Sequence, residues 1–460
     1  MNTQSLTRTF WSYTIPSIAA LMVSGLYAVV DGMFIGHAMG SDGLAALNLS
    51  WPLAGTLWAV AMLVGMGGGA ELSMARGAQD TTRQAVTLTM TLLLMLGLGA
   101  GSGALILLGS ASFLTAQGTG QPLLDHGLDY LAVQGWFAPV LVAGMALPLI
   151  LRNLGAPGMA TAAMLAGAVL NGLFNWILVI RLDLGLAGAA LSTVMAETVV
   201  IAICLGMMAR LGALRLLIRP TLREGLARVR AICATGTSSM IMALYVSFVF
   251  VLHNVLFLKH GGPVTLAAYA ISGYVMAFFY YFAEGVAGGM QPLASYFHGA
   301  RDRVTVTRVL KLALLTGVGG GAAMTALVVA FPTTVARAFA AGDSALVAET
   351  AWGLRLQLWA MVLDGFIILA ATWFQSVGQA RTATGITLAN MGIQLPFLFF
   401  LPQFLGVNGV WLAMPVSNVA LSLGVLWLLW RAQRGTFARA AVLARRAQAT
   451  AMGQPSPQAC

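Results

Sequence analysis

Apolar windows, each long enough to cross a hydrocarbon core about 30 Å thick, recur twelve times between Ile15 and Trp430. In lipid every backbone N–H and C=O must find a partner within the protein, so a segment of this length crosses as a helix. The expected fold is therefore all-α: a membrane protein of twelve transmembrane helices. Composition excludes the soluble alternative, since only 8% of the 460 residues are charged against about 25% in soluble domains. The first window, Ile15 to Gly36, is followed by one from Leu44 to Leu72 and one from Ala85 to Leu108. Spans 4, 5 and 6 centre near Val140, Ala168 and Ile201.

Basic residues set the topology. Of the 24 Lys and Arg, 20 fall in alternate loops and the terminal segments, from Arg8, Arg76, Arg83 and Arg152 to Arg445 and Arg446. Arg181, Lys259 and Arg337 fall in the opposite loops, and Arg355 lies within a span. The positive-inside rule then predicts both termini in the cytoplasm and accounts for the net charge of +10 without nucleic acid. Cys204, Cys233 and Cys460 show no paired spacing and the five histidines are scattered, so neither a disulfide framework nor a zinc site is indicated. Only Arg8 precedes the first apolar run, which is too long for a signal-peptide core and is expected to be retained.

The chain reads as two halves. Leu44-Ala45-Ala46 recurs as Leu266-Ala267-Ala268 and Gly77-Ala78 as Gly299-Ala300, both at a shift of 222 (266 − 44, 299 − 77). Asn153-Leu154-Gly155 falls on Ser376-Val377-Gly378 at 223, and Gly188 falls on Gly409 at 221. Such matches are common singly in an apolar chain; their collinearity over six spans indicates parallel repeats. Spans 7 to 12 follow near Val249, Phe282, Val318, Val362, Met391 and Leu421. The expected organisation is a six-helix lobe over 1–209, a linker over 210–231, a second six-helix lobe over 232–433 and a basic cytoplasmic tail over 434–460. In the linker, leucine alternates with arginine as in an amphipathic interfacial helix, or simply as in a charged loop.

Chemistry at membrane depth rests on four carboxylates: Asp31 in span 1, Glu197 in span 6, Glu284 in span 8 and Asp364 in span 10. An aspartate at mid-span costs about 2.5 to 3.5 kcal/mol on insertion scales, so it is kept mainly where it faces a cavity or a partner. Asp31 either does so or marks the outer end of its span near His37 and Asp42. Desolvation favours the neutral form of a carboxyl, which suits such groups to proton or cation handling. Glu197 and Glu284 serve equally well as protonated hydrogen-bonding links between helices.

Asn171 and Asn175 stand four apart on one helix face, placed either to bond Asp31 or to link helices. His253, at the 222 shift from Asp31, is a candidate proton gate or a satisfied interior histidine. Tyr245, Tyr274, Phe278 and Tyr281 offer aromatic surface of the kind that binds apolar and cationic ligands, or ordinary packing. GMGGGAE lacks the lysine of a phosphate-binding loop, so ATP-driven transport is not indicated.

VDGMFIGHAMGSDGLAALNLSWPL, GGGAELSMARGAQ and GGMQPLASYFHGARD together resemble the multidrug and toxic compound extrusion (MATE) family, over nearly the whole chain. The first half is most similar to the branch that includes DinF and MepA. That resemblance implies a V-shaped pair of six-helix bundles, not an enzyme: an exporter of drugs or toxic organic cations, driven by inward proton or sodium flow with no other cofactor.

The coupling role of the family's span 1 aspartate would fall on Asp31, assisted by Asn171, Asn175 and Glu197. The branch pattern has an aspartate where this chain has Asn175, which leaves one signature carboxylate in this lobe. In the NorM-like branch a span 10 aspartate stands eleven residues before an Arg-Gly pair; here Asp364 stands eleven before Gln375. Asp364, Tyr245, His253, Tyr274, Phe278, Tyr281 and Glu284 are accordingly expected in the substrate cavity. The resemblance implies a monomer, multi-pass in the bilayer of a bacterial inner membrane. A lipid-linked oligosaccharide flippase of the same superfamily would line its cavity with arginine, and only Arg355 is expected inside. A non-transporting receptor or scaffold would need larger loops.

Overall fold

The computed structural model describes residues 3–339 and 343–451, with side chains except those of 3, 26–29, 41, 246–247 and 435–451. The described chain is helical, with no strand among the described residues. Ten helices are long and apolar enough to cross a bilayer, and the bent pair Leu123–Trp136 with Ala138–Asn153 makes an eleventh. The longest, Leu222–Gly299, is two spans meeting at Gly262, where φ is 77° and ψ is −169°. The twelve expected spans are thus present. Spans 1 to 6 are Gln4–Gly40, Asp42–Gly77, Thr81–Ala116, the bent pair, Pro157–Arg181 and Gly185–Arg210. Spans 7 to 12 are 222–261, 263–299, Arg303–Ala330, Ser344–Ser376, Ala380–Leu405 and Val407–Arg434.

Span 4 differs from a simple helix centred on Val140, because it bends by 64° at Phe137. Pro139, which has no N–H to give a continuous ladder, opens the second segment. Of the two readings of the linker, the single amphipathic helix over 210–231 is not what forms. Gly212 takes a left-handed φ of 71°, a short 3-10 turn spans Ala213–Leu216, and Pro220 precedes a fresh start. Thr221 and Glu224 then form a reciprocal capping box that begins span 7 within the expected linker. The basic tail expected over 434–460 lies outside the described side chains, apart from Arg434.

The backbone repeats at the shifts seen in the sequence. Left-handed residues pair as Gly40 with Gly262 and Gln79 with Arg301 at 222, Gly155 with Gly378 at 223, and Gly185 with Gly406 at 221. Asp80 and Asp302, also 222 apart, cap spans 3 and 9 by accepting from the backbone N–H of Arg83 at 2.8 Å and Thr305 at 3.0 Å. Side-chain chemistry has diverged while the turns that fix helix directions have not.

Each lobe has its own apolar core. One joins Leu57, Val64, Leu88, Ile106, Leu141 and Ile150; the other joins Val286, Met290, Val309, Leu369 and Phe374. The first turns of spans 1 and 7 reach across: Leu6 and Phe10 pack in the second core, while Ile232 packs against Val86 and Met90 of span 3. Glu71 of span 2 accepts from Arg83 at 2.8 Å and from Arg228 of span 7 at 3.1 Å, fastening that crossing.

Between the lobes, glycines allow main chain to approach main chain. A side chain at Gly67 would strike Ile232 and Gly236, and one at Gly77 would strike Tyr296. At the 222 shift, Gly289 meets Thr14 and Gly299 meets Met74, so the seam is two-fold symmetric. All these contacts lie toward the end that carries the chain termini. Along one face of span 8, Gly289 and Gly285 press on span 1 and Tyr281 lies against Gly25, but Phe278 and Tyr274 are exposed. Met33, further along span 1, is exposed as well. The lobes are closed at the terminal end and part toward the far end, which gives the V shape.

Candidate functional site

A cavity of about 340 Å³ lies where the lobes begin to part, walled by spans 1, 2, 4, 5 and 6 on one side and 7, 8, 10 and 11 on the other. Its apolar wall includes Trp51, Trp58, Met62, Met66 and Met145, large and adaptable surfaces suited to varied ligands. Asp31, Glu197 and Glu284 line it, as does one base, Arg152.

Asp31 is half-buried and accepts a hydrogen bond from Asn175 Nδ2. The same amide donates to Asn171 Oδ1 at 2.9 Å, and Asn175 Oδ1 accepts from Ser192 Oγ at 2.9 Å. Asn171 Nδ2 in turn reaches Ser192 Oγ at 3.2 Å and Thr193 Oγ1 at 3.4 Å. Span 5 changes from α to π geometry immediately after Asn175, over Trp176–Arg181. Such π segments are frequent at functional sites. Asp31 is therefore wired through Asn175 to spans 5 and 6, while its carboxylate edge faces the cavity. Glu197, one turn beyond Thr193, packs tightly over Gly144 of span 4.

The second lobe departs from expectation. Tyr281 and Glu284 line the cavity, and Glu284 accepts from Tyr280 OH at 3.3 Å. Asp364 does not line it. It is 2% exposed, on a face of span 10 turned into the second lobe toward Asn390 and Asn418, and its Oδ1 lacks a hydrogen-bond partner.

Tyr245 is buried beside this group and accepts from Gln394 Nε2 at 2.5 Å. His253 is also off the cavity: its Nδ1 bonds the Val249 carbonyl oxygen at 2.9 Å and its ring stacks on Tyr269 at 5.4 Å. Tyr274 stacks on Phe339 at 6.0 Å and, with Phe278, flanks the open cleft rather than the enclosed space. Helix rotation explains these differences, because spacing places residues on a face without saying which neighbour that face meets.

Arg152 is the largest correction. Counted as a loop residue in the charge balance, it is 3% exposed in the last turn of span 4 and projects into the cavity. Arg355, the one arginine expected inside, is exposed. Sequence reasoning also passed over Tyr130, Gln134, Ser192 and Thr193; the last two follow Asn171 by one span but carry no motif of their own. Asn153, next to Arg152, exchanges amide hydrogen bonds with Gln291 of span 8 at 3.0 and 3.2 Å, and accepts from Ser73 Oγ at 2.7 Å. The cavity floor is thus tied to the closed seam.

A sequence model of the MatE family matches residues 16–177 and 238–400, one match in each lobe. The chain is 23% identical over 431 residues to the multidrug export protein MepA of Staphylococcus saprophyticus, covering 91% of this chain and 92% of that protein. Among solved structures it is similar to an outward-facing multidrug resistance MATE family transporter of the MOP superfamily, with TM-score 0.84, 22% identity and coverage of 93% and 96%. It is also similar to a variant of the Vibrio cholerae MATE transporter VcmN, with TM-score 0.87, 18% identity and coverage of 94% and 98%.

Proposed function

The chain belongs to the MatE family, and on that premise we propose that it is a secondary active multidrug exporter of a bacterial inner membrane. It works as a monomer with both termini in the cytoplasm. Its substrates are organic, often cationic, compounds, and inward flow of protons or sodium ions drives their efflux by alternating access. The observation that carries this reading is the position of Asp31, which faces the cavity and is bonded to Asn175 in the same lobe. One carboxyl in that position answers to either a drug or a coupling ion, and the two compete.

With the termini in the cytoplasm, the closed seam is the cytoplasmic gate and the V opens outward. A proton or sodium ion arriving from outside neutralises Asp31, weakens its hold on a cationic drug and alters the charge-assisted bond from Asn175. The drug leaves through the open cleft, the lobes rock, and the ion is released inside. One proton entering through about 100 mV supplies roughly 2.3 kcal/mol, close to fifty-fold accumulation of a neutral substrate, so a single carboxyl is energetically sufficient.

Counterflow of a fluorescent cation from proteoliposomes, under proton and sodium gradients imposed separately, tests the reading. Asp31→Asn should still bind the dye, though more weakly, but lose uphill export and lose proton release on dye addition. Accumulation by Asp31→Asn vesicles under a pH gradient would move coupling away from Asp31, with Glu197 next in that lobe. The flippase reading gains one observation, Arg152 in the cavity. Against it stand three carboxylates lining the same space.

A further inference from the structure

The segment that joins the lobes carries a charge imbalance that the export cycle does not use. Residues 210–230 hold six arginines and one carboxylate, Glu224. That carboxylate is engaged in its own helix cap, accepting from Thr221 Oγ1 at 2.7 Å and from the Thr221 backbone N–H at 3.1 Å. Arg228 is paired with Glu71. Arg210, Arg215, Arg219, Arg223 and Arg230 are exposed, and none of them has an ion pair among the described residues. The positive-inside rule accounts for the sign of this charge but not for the apolar side chains exposed among it.

Leu211, Leu217 and Ile218 are exposed, and at the start of span 7 Leu222 is 80% and Leu226 59% exposed. The last two stand four apart and share one face of the helix, with Arg223 and Arg230 on the stripe beside it. The remaining face meets span 3: a side chain at Gly225 would begin 3.2 Å from Met90 Sδ, and Val229 and Ile232 pack with Val86 and Met90. The rest of the linker is held to the same lobe, since Ala213 is buried in its core and the Ile218 N–H donates to Thr89 Oγ1 at 3.2 Å. Thr89 lies four residues inside the apolar window that opens at Ala85, about 6 Å along the helix axis. The linker is therefore a fixed surface at the level where the apolar stretch of span 3 begins, which is where lipid head groups meet acyl chains.

We propose that this surface docks an anionic phospholipid, with its phosphate on the arginines and its acyl chains along the leucines. A phosphate takes charge-assisted hydrogen bonds from several guanidinium groups at once, and an amphiphile also covers the apolar stripe beside them. A soluble phosphate would use the arginines and leave the leucines in water. With the termini in the cytoplasm, the lipid belongs to the inner leaflet, where anionic lipid attracts a basic segment by about fivefold in affinity per arginine. The proposal does not depend on what the cavity carries.

Native mass spectrometry of the full chain purified in detergent, titrated with dioleoylphosphatidylglycerol or dioleoylphosphatidylcholine, reads the affinity of the first lipids bound. The wild-type protein should take the anionic lipid at least tenfold more tightly than the zwitterionic one. Arg215→Gln, Arg219→Gln and Arg223→Gln together should abolish that preference. Arg301→Gln, Arg303→Gln and Arg308→Gln, which remove the same charge from exposed positions around the start of span 9, should leave it within twofold. Leu222→Ser with Leu226→Ser should weaken phosphatidylglycerol at least fivefold, and carries the test if the arginine variant does not fold. Equal binding of the two lipids by the wild-type protein, equal losses in the two arginine sets, or an unchanged affinity in the leucine variant would each overturn the proposal. If glycerol phosphate displaces the lipid at matching concentration, the surface is a site for soluble phosphates and the lipid assignment is wrong.

Discussion

Gly236→Ala should open the closed end of the molecule. The new methyl would be driven into the Leu63 carbonyl group, whose carbon and Cα would lie 2.7 and 3.0 Å from it. These are main-chain atoms of span 2 and cannot rotate aside as a side-chain tip would. Overpacking of this kind costs about 1 to 3 kcal/mol. Because each lobe keeps a separate core, the cost falls on the seam between lobes rather than on folding. The ratio of the sealed state to the alternative should therefore fall roughly 5- to 150-fold. Spin labels at Leu182→Cys and Phe404→Cys, both exposed at the far end, would report the change as a gain of short inter-lobe distances in a background lacking Cys204, Cys233 and Cys460. Gly97→Ala in span 3, with nothing within 4 Å of its new methyl, is the control and should leave the distribution unchanged. If Gly236→Ala gave the same distances as Gly97→Ala, the seam would not be what holds this state.

Asp364→Asn should reduce export of cationic and neutral substrates alike, because the carboxyl is buried in the second lobe away from the cavity; a selective loss of cationic substrates in a transport panel would contradict that placement. Glu71→Gln should lower stability by about 1 to 3 kcal/mol, since Arg83 and Arg228 both lose their anionic acceptor; a thermal midpoint unchanged in detergent would show that the pairing contributes nothing. Cysteines introduced at Gln4 and Gln448 in the cysteine-free protein should be labelled only from the cytoplasmic side, and labelling of either from outside intact cells would refute the topology.

Helix number, repeat and polar wiring differed in how far the sequence revealed them. Spans are set by hydropathy, a local property, so all twelve were legible. The repeat was legible because turn geometry constrains residue type: Gly40 and Gly262 need left-handed backbone, and the 222 shift survives there. Helical spacing left open whether Asn171 and Asn175 bond Asp31 or link helices, and the structure has both: Asn175 donates to Asp31 while Asn171 and Asn175 bond Ser192 of span 6.

Rotation of the second lobe's helices was not legible. Asp364, Tyr245 and His253 are interior in any arrangement, and only packing decides whether interior means cavity or core. Arg152 was hidden for a different reason: a basic residue at a span end satisfies a charge rule wherever its side chain points. Tyr274 and Phe278 share a face with Tyr281, but the divergence of the lobes separates them from the enclosed site.

The symmetric glycine seam also bears on leakage. In a carrier of the kind proposed, which would convert an ion gradient into export, every ion that bypassed the binding site would dissipate the gradient without moving substrate. Where Gly67 lies on Gly236, Gly289 on Thr14, Gly77 on Tyr296 and Gly299 on Met74, main chain rests on main chain. A file of water molecules has no room to thread those contacts and relay protons through them. In the sealed state that barrier rests on backbone shape at these glycines, with the Glu71–Arg228 pair fastening the crossing beside it.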